Sequence, residues 1–129
     1  ILSLRWKNKM NINEVKHFCN SLPAVEEIEK AHPKNYLSYT LHGKKFAYFK
    51  TSEPEIWRFS FRVSSERFLE LTDQAGINPA RYMARFHWVT LINVETMQED
   101  YLKELILWSY QKALSRLPQK LQAEVKLAT

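Results

Sequence analysis

Glycine and cysteine are scarce in this chain, and each shortage excludes a class of site. The 129 residues include two glycines, Gly43 and Gly76, and one cysteine, Cys19. Two isolated glycines cannot form the glycine-rich loops that hold nucleotide phosphates. A single cysteine excludes an internal disulfide framework and a metal site made of several cysteines. Because Cys19 lies on the apolar stripe of a predicted helix, we interpret it as a small core residue.

Long apolar runs are also absent. The most apolar stretch, Leu105–Trp108, gives way to polar residues and is far shorter than the ~20 residues of a membrane span. Residues 1–4 are apolar but too few for a secretory signal, and basic residues follow them. Together with the single cysteine, these absences predict a cytoplasmic protein with no membrane partner.

Basic residues outnumber acidic ones, and the excess is concentrated in the middle of the chain. The net charge is +5, from 19 Lys or Arg and 14 Asp or Glu. Residues 30–92 hold ten basic residues against five acidic ones. A basic domain suits a polyanionic partner such as nucleic acid. Ordinary solubility charge explains +5 equally well, so composition leaves both interpretations open.

Apolar side chains recur at helical spacing in three segments, each bounded by residues that begin or end helices. The first is about Asn13–Ser21, with Asn11 and Glu14 as a capping box. The second follows an N-cap at Ser64 or Ser65 and ends at Gly76, and the third lies between a capping box at Thr96–Glu99 and Pro118. Residues 24–32 are compatible with a helix but have a poor apolar pattern. We therefore predict three helices and treat 24–32 only as a segment compatible with a helix.

A β-hairpin is predicted over Tyr36–Lys50. Gly43 and Lys44 have the composition of a two-residue type II′ turn, which has glycine first. This turn pairs Leu41 with Phe46 and gives the hairpin one consistent apolar face. The two lysines that follow Gly43 then lie at the exposed tip.

Further strands are predicted by alternating polarity. Trp57–Val63 alternates apolar and polar residues over seven positions. After a predicted turn at Ile77–Pro79, Arg81–Phe86 and Trp88–Val94 are predicted as two short extended segments. Strands cluster and helices flank them. We therefore predict an α+β fold in two layers, with a mostly antiparallel sheet and the order α-β-β-β-α-β-β-α.

The chain length predicts one domain with one core. We place this domain at residues 10–118, after an N-terminal extension of residues 1–9 and before a C-terminal tail of residues 119–129. The tail has weak helical spacing and is expected to add a turn or two of helix or to fray.

The block Arg81–Trp88 combines two arginines, one histidine and three aromatic rings in eight residues. Cations of this kind bind phosphate, and aromatic rings either stack on bases or anchor a core. A core role is the main alternative for Phe86 and Trp88, and a hydrogen-bonded structural role is the main alternative for His87.

Basic side chains elsewhere extend this candidate surface. Two lysines lie at the hairpin tip, and two arginines share one face of the strand Trp57–Val63. The arginines have a simpler alternative, which is ion pairing with nearby glutamates. The residues predicted to bind nucleic acid are Lys44, Lys45, Arg58, Arg62, Arg81, Arg85, His87 and Trp88.

The sequence gives little support to catalysis. The four histidines show no metal-site spacing. The acidic cluster at Glu26–Glu29 is better explained as a solvated face than as an acid–base pair. We therefore predict a non-enzymatic protein with no catalytic residue, metal or cofactor.

Four short motifs together resemble the MmcQ/YjbR family. The segment Asn11–Pro23 is similar to its opening helix and Ser-Leu-Pro, and Gly43–Ala47 is similar to its Gly-Lys-x-Phe-Ala hairpin. Arg81–Trp88 resembles the aromatic and basic signature of the family. Ser109-Tyr110, with Leu117-Pro118, resembles its closing helix. The motifs occur in the family's order and cover about residues 10–118.

The resemblance implies a small bacterial cytoplasmic domain with a frataxin-like or secretion-chaperone-like α+β fold. The family is described as predicted DNA-binding, with a "double-wing" pair of hairpins. On this chain the wings fall on the hairpin with Lys44 and Lys45 and on the segment Arg85–Trp88. The chain departs from the family pattern at Ala84, where asparagine is usual, which removes an amide able to hydrogen-bond a ligand.

Three functions remain open at this point. The first is nucleic-acid binding by the basic hairpin and sheet surface, with duplex DNA as the first choice and single strands as the second, which charge and resemblance favour. The second is a protein-interaction or chaperone-like module that uses an open sheet face, with a homodimer as one form. The third is a small-ligand binder centred on His87.

Overall fold

The structure is a computed structural model that describes residues 8–127. This part of the chain forms four α-helices and six strands. The helices are α1 (Ile12–Ser21), α2 (Ser65–Thr72), α3 (Glu99–Ser115) and α4 (Gln119–Leu127). The strands are β1 (Val25–Lys30), β2 (Tyr36–Leu41), β3 (Lys44–Lys50), β4 (Phe59–Arg62), β5 (Ile77–Pro79) and β6 (Trp88–Leu91).

The six strands form one sheet in the order β1-β2-β3-β4-β6-β5, and every pairing is antiparallel. Register aligns Ala47, Phe61 and Val89 in one row, which belongs to the same hydrophobic core as Leu102 and Ile106 of α3. Side chains alternate along each strand, so the sequence neighbours of these residues lie on the opposite face of the sheet. We call this opposite face the open face. The predicted α+β fold with an antiparallel sheet is confirmed.

The start of α1 follows from its first residues. The Asn11 side chain accepts a hydrogen bond from the Glu14 backbone N–H at 2.8 Å, and the Glu14 carboxylate accepts one from the Asn11 N–H at 3.0 Å. This reciprocal pair is the predicted capping box. Val15 and Cys19 are fully buried, so the interpretation of Cys19 as a core residue is confirmed.

Within the segment 24–32, residues 25–30 form a strand, so the interpretation of this segment as compatible with a helix is wrong. Ala24 has a positive φ of 63°, which turns the chain into β1. Val25–Lys30 then pairs along its whole length with β2. Strand β1 is an edge strand with mostly exposed side chains. Its conformation therefore comes from pairing with a neighbour rather than from its own apolar pattern.

The hairpin is present, but its turn and register differ from the prediction. The turn residues are His42 and Gly43, whose φ angles of 47° and 82° are both left-handed. Two such residues define a type I′ turn, not the predicted type II′ turn at Gly43 and Lys44. Leu41 consequently pairs with Lys44 instead of Phe46.

A β-bulge restores the burial that this turn would otherwise lose. Thr40 pairs with Lys45 and Tyr39 pairs with Ala47, so β3 has one extra residue at Phe46. Phe46 and Ala47 are consecutive, yet both are fully buried. The extra residue allows this because a bulge interrupts the alternation of side chains.

The Arg81–Phe86 segment is not a strand, which corrects the prediction, and it connects two strands that pair antiparallel, β5 and β6. It consists of a turn and a short 3₁₀ helix, Ala84–Phe86. Its place beside β6 is taken by Ile77–Pro79, which was predicted as a turn. Proline is tolerated there because β5 lies at the edge of the sheet. Strand β4 is also shorter than predicted, since Trp57 has a φ of 67°.

Helix α3 has the predicted apolar stripe, but it does not begin with the predicted capping box. Thr96 belongs to a second 3₁₀ helix, Val94–Thr96, and its hydroxyl donates to the Asn93 carbonyl at 2.8 Å. Gln98 is the N-cap, and its side chain makes no capping bond.

The predicted tail contains a nine-residue helix, α4, and Val125 on it is buried. Most of the predicted extension, residues 1–7, lies outside the described residues. Met10, which follows it, is buried in the core. Within residues 8–127, no helix is both long and apolar enough to cross a membrane.

Candidate functional site

A cavity of about 730 Å³ lies on the open face of the sheet. Its floor comes from side chains of β2, β3, β4 and β6 that face away from the core. The hairpin tip forms one wall, the turn at residues 81–86 a second, and the C-terminal end of α3 a third. The volume falls in the range of ligand-binding sites.

The lining residues are strongly basic. None of the described residues that line the cavity is acidic. The four ion pairs found within residues 8–127 all involve other cations. The positive charge of the cavity is therefore not neutralised by the described protein, which makes it attractive to anions. We call it the basic cavity, after its six cationic residues: Lys44, Lys45, Arg62, Arg81, Lys112 and Arg116.

Two of these cations, one from the sheet and one from α3, are close enough to repel each other. Arg62 is the last residue of β4, and Arg116 caps the C-terminus of α3. Desolvation, and after it repulsion from Arg116, lowers the pKa of Arg62 from its ordinary value. An arginine keeps its charge despite such a shift. An anion placed between the two guanidinium groups reduces this repulsion.

Lys45 lies over two aromatic rings of the open face. Its Nζ is 4.9 Å from the ring centre of Tyr48 and 5.8 Å from that of Tyr36. The two rings meet edge to face, with centres 5.1 Å apart. Desolvation, followed by repulsion from Lys34, lowers the pKa of Lys45. The ammonium group is thus fixed above the floor of the cavity by cation–π contact.

Aromatic rings form the rest of the floor and part of the rim. Trp88 is buried, and its ring contacts Tyr48 at 5.8 Å between centres. By contrast, Tyr82 is 83% exposed and Phe86 is 40% exposed. The guanidinium of Arg81 lies 5.2 Å from the Tyr82 ring centre. The cavity therefore combines a buried aromatic floor with exposed rings at its edge.

The wall formed by α3 is held in place by Ser109. Its hydroxyl donates to the Phe46 carbonyl at 2.6 Å and accepts from the Arg62 N–H at 3.1 Å. One buried side chain thus ties α3 to both β3 and β4. This connection fixes the helix end that carries Lys112 and Arg116.

The centre of the open face is polar and buried, since its four hydroxyl residues are at most 6% exposed: Ser38, Thr40, Ser60 and Thr90. The Ser60 and Thr90 hydroxyls are 2.7 Å apart in the middle of the sheet. Ser38 and Thr40 lie on the same face, since Ser38 pairs with Tyr48 across the hairpin. An interaction module that uses this face was expected to show an exposed apolar patch, whereas small hydroxyl side chains occupy its centre.

Five of the eight residues predicted from the sequence line the basic cavity, and three do not. Arg58 pairs with Glu55 at 3.0 Å, and Arg85 lies over the Phe86 ring at 4.7 Å. His87 is half-buried in a left-handed conformation, and its ring contacts Phe68 of α2 at 5.6 Å. The residues that line the cavity are Lys44, Lys45, Arg62, Arg81 and Trp88.

Lys112 and Arg116 were missed by sequence reasoning. They are four residues apart, so they lie on the same side of α3. Cations are common at helix C-termini because they complement the helix dipole. The helix dipole alone is enough to explain two cations at this position. The sequence does not show that the hairpin and β4 lie opposite them.

Among residues 8–127, no cluster of three or more His, Cys, Asp or Glu side chains could hold a metal ion. The chemistry of the basic cavity is therefore that of cations, hydroxyls and aromatic rings.

Comparison with protein families identifies the chain. The YjbR family model matches residues 20–112, which is well over half of the sequence. The chain belongs to the YjbR family. The matched region includes the hairpin, β4, the turn at residues 81–86 and most of α3, so it contains five of the six cations of the basic cavity. No curated protein matches the chain by sequence.

Two solved structures share the fold of this YjbR-family chain. A Deinococcus radiodurans protein with a DUF419 domain superposes with a TM-score of 0.76 at 21% identity, over 93% of this chain and 91% of that one. A Pseudomonas syringae protein from a structural genomics consortium superposes with a TM-score of 0.65 at 18% identity, over 81% of this chain and 99% of that one. At these identities the likeness concerns the fold alone.

Proposed function

We propose that this protein is a non-enzymatic DNA-binding module and that the basic cavity is its contact surface. The observation that carries the proposal is the convergence of six cations on one concave surface whose described lining has no carboxylate. Phosphate groups are the anions that such a surface binds most readily. Access to DNA requires a cytoplasmic location, so that location is part of the proposal.

The geometry supports phosphate contacts from three directions. Lys44 and Lys45 approach from the hairpin tip, Arg81 from the turn, and Arg116 from the end of α3. Cations that surround a groove can follow a nucleic-acid backbone without reading its sequence. We therefore expect affinity that depends on salt and hardly on sequence.

Binding of a fluorescent oligonucleotide, measured by anisotropy over a salt series, tests this function. We expect binding at ~50 mM salt and a steep loss by ~200 mM, because each phosphate contact releases counterions. Replacing Arg62 or Arg116 with alanine should weaken binding. The slope of log K against log salt should become shallower by about 0.7–0.9 for each phosphate that the variant no longer neutralises.

The block Arg81–Trp88 offers a matched control. Arg81 and Arg85 are both exposed, and each lies over the ring that follows it, but only Arg81 lines the cavity. Arg81→Ala should weaken binding, whereas Arg85→Ala should leave it unchanged. Equal losses in the two variants, or no binding at ~50 mM salt, would contradict the proposal.

A small anionic ligand is the second candidate, because the cavity volume of about 730 Å³ is typical of small-molecule sites. This ligand would occupy the basic cavity and not a site at His87, which packs on Phe68. Competition between inorganic phosphate and the oligonucleotide separates the two candidates. Displacement of the oligonucleotide at micromolar phosphate favours the small ligand.

A further inference from the structure

Tyr82 and Phe86 expose their rings at the rim of the basic cavity. Tyr82 is 83% exposed and Phe86 is 40% exposed, whereas Trp88 in the same block is buried. Large aromatic side chains are usually buried, because they remove much apolar surface from water. These two rings contribute little to the core, so their position beside six cations requires another explanation.

The backbone that presents Tyr82 is constrained. Its φ is 68°, a left-handed conformation that is unfavourable for a bulky residue. Backbone hydrogen bonds close the turn on both sides of the ring, from Met83 N–H to the Ala80 carbonyl at 3.1 Å and from Trp88 N–H to the Met83 carbonyl at 3.3 Å. The Tyr82 ring is therefore presented by a hydrogen-bonded turn with a strained backbone, and such strain is concentrated at functional sites.

Arg81 reinforces the placement of the ring. Its guanidinium lies 5.2 Å from the Tyr82 ring centre, and both residues line the cavity. A ring with a cation on one side and solvent on the other can accept a flat ligand on its open face. The cations deeper in the cavity lie within the same concave surface.

We propose that the basic cavity binds single-stranded DNA, with phosphates on Arg62, Lys112 and Arg116 and an unpaired base stacked on Tyr82. This inference rests on the proposed function and specifies its substrate. Stacking on an aromatic side chain requires a base whose face is accessible, which an unpaired strand offers. In a duplex the adjacent base pairs cover both faces of each base. The exposed Tyr82 ring then has no base face on which to stack.

The decisive experiment compares a labelled single strand with a duplex of the same length and sequence, by anisotropy at ~50 mM salt. We expect the wild-type protein to bind the single strand at least about tenfold more tightly. Tyr82→Gly, which adopts a left-handed backbone without strain, should weaken single-strand binding by about 5- to 150-fold. Tyr82→Phe keeps the ring and should retain most of the affinity.

A stacking signal gives a second readout. An oligonucleotide with 2-aminopurine loses fluorescence when that base stacks, so wild-type protein should quench it and Tyr82→Gly should not. The control is Leu69→Ala, since Leu69 is 73% exposed but does not line the cavity. The Leu69→Ala variant should bind and quench like wild type.

The outcomes separate this inference from the function on which it rests. Equal binding of duplex and single strand, with no effect of Tyr82→Gly, overturns the inference and leaves DNA binding intact. A similar loss for single strand and duplex in Tyr82→Gly also overturns it. Failure of both DNA forms to bind wild-type protein overturns the proposed function itself.

Discussion

The hydroxyl of Tyr110 donates a hydrogen bond to the carbonyl of Pro23, at 2.7 Å and across 87 positions of sequence. It ties the middle of α3 to the connection between α1 and β1. The adjacent Ser109 binds β3 and β4, and the Tyr110 ring meets Phe46 edge to face at 5.4 Å. Three motifs that carry the family resemblance therefore meet at one helix turn, where they stabilise the fold.

Ser109→Ala should lower the free energy of unfolding by about 1–3 kcal/mol, because the Phe46 carbonyl loses its side-chain partner inside the protein. The Arg62 N–H loses an acceptor in the same variant. Chemical denaturation measures the change. Ser115→Ala is the control on the same helix, since its exposed hydroxyl donates only to the Lys112 carbonyl, and it should change stability by less than about 0.5 kcal/mol. Similar values for the two variants would contradict this role of Ser109.

His42→Asn should stabilise the hairpin by a few tenths of a kcal/mol. His42 is the first residue of a type I′ turn, and asparagine adopts the left-handed conformation more readily than histidine at this position. Gly43→Ala should have the opposite effect and cost about 1 kcal/mol. A methyl group at Gly43 meets nothing within 4 Å, so this cost is conformational and not steric. Thermal unfolding of both variants checks the two signs.

The free energy of unfolding should fall as pH rises above about 9. Burial raises the pKa of the Cys19 thiol above its ordinary 9.0, and burial together with a hydrogen bond to Glu27 raises the pKa of Tyr39 above 10.0. Each group stays protonated in the folded chain but ionises when unfolded, so each contributes a loss of about 1.4 kcal/mol per pH unit above its unfolded pKa.

Denaturant titrations between pH 8 and pH 11 measure this effect. Burial also raises the pKa values of Tyr48 and Tyr110, which act in the same direction. The lowered pKa of Lys45 acts in the opposite direction up to about 10.5 and offsets part of the loss. Cys19→Ala should reduce the slope that begins near pH 9. A flat stability profile in the wild-type protein would disprove the expectation.

Binding of the oligonucleotide should weaken at alkaline pH as Lys45 loses its charge. The pKa of Lys45 is lowered from its ordinary 10.5, so its charge is lost as pH rises through the shifted value. Lys45→Arg keeps a cation throughout this range and should lose less affinity than the wild type. Parallel loss of affinity in both proteins would assign the pH dependence to another group.

The sequence predicted those elements whose residues carry a complete local pattern. The capping box of Asn11 and Glu14, the N-cap Ser64 and the stripe of α3 each depend on residues within one helix. Strand β1 was missed because its conformation depends on pairing with β2. Strand β5 was missed because a proline beside an asparagine is typical of a turn, and only its edge position permits a strand.

The sequence predicted only those residues of the basic cavity that a local pattern reveals. Lys44 and Lys45 are visible from the hairpin turn, and Arg62 is visible from the alternation of β4. Lys112 and Arg116 join them only because α3 crosses the sheet beside the hairpin, which is a tertiary relationship. The exposure of Tyr82 depends on a left-handed backbone that its local sequence does not indicate.

The bulge opposite Tyr39 has a consequence for how relatives of this chain are aligned. The extra residue lets Lys45 pair with Thr40 while Ala47 still pairs with Tyr39, so Phe46 is the residue that a regular hairpin would lack. Deleting Phe46 leaves both pairings in place but removes a fully buried ring that meets Tyr110 of α3. A single-residue gap in this hairpin therefore marks a change in the core beneath α3 and leaves the two lysines on the same sides of the hairpin.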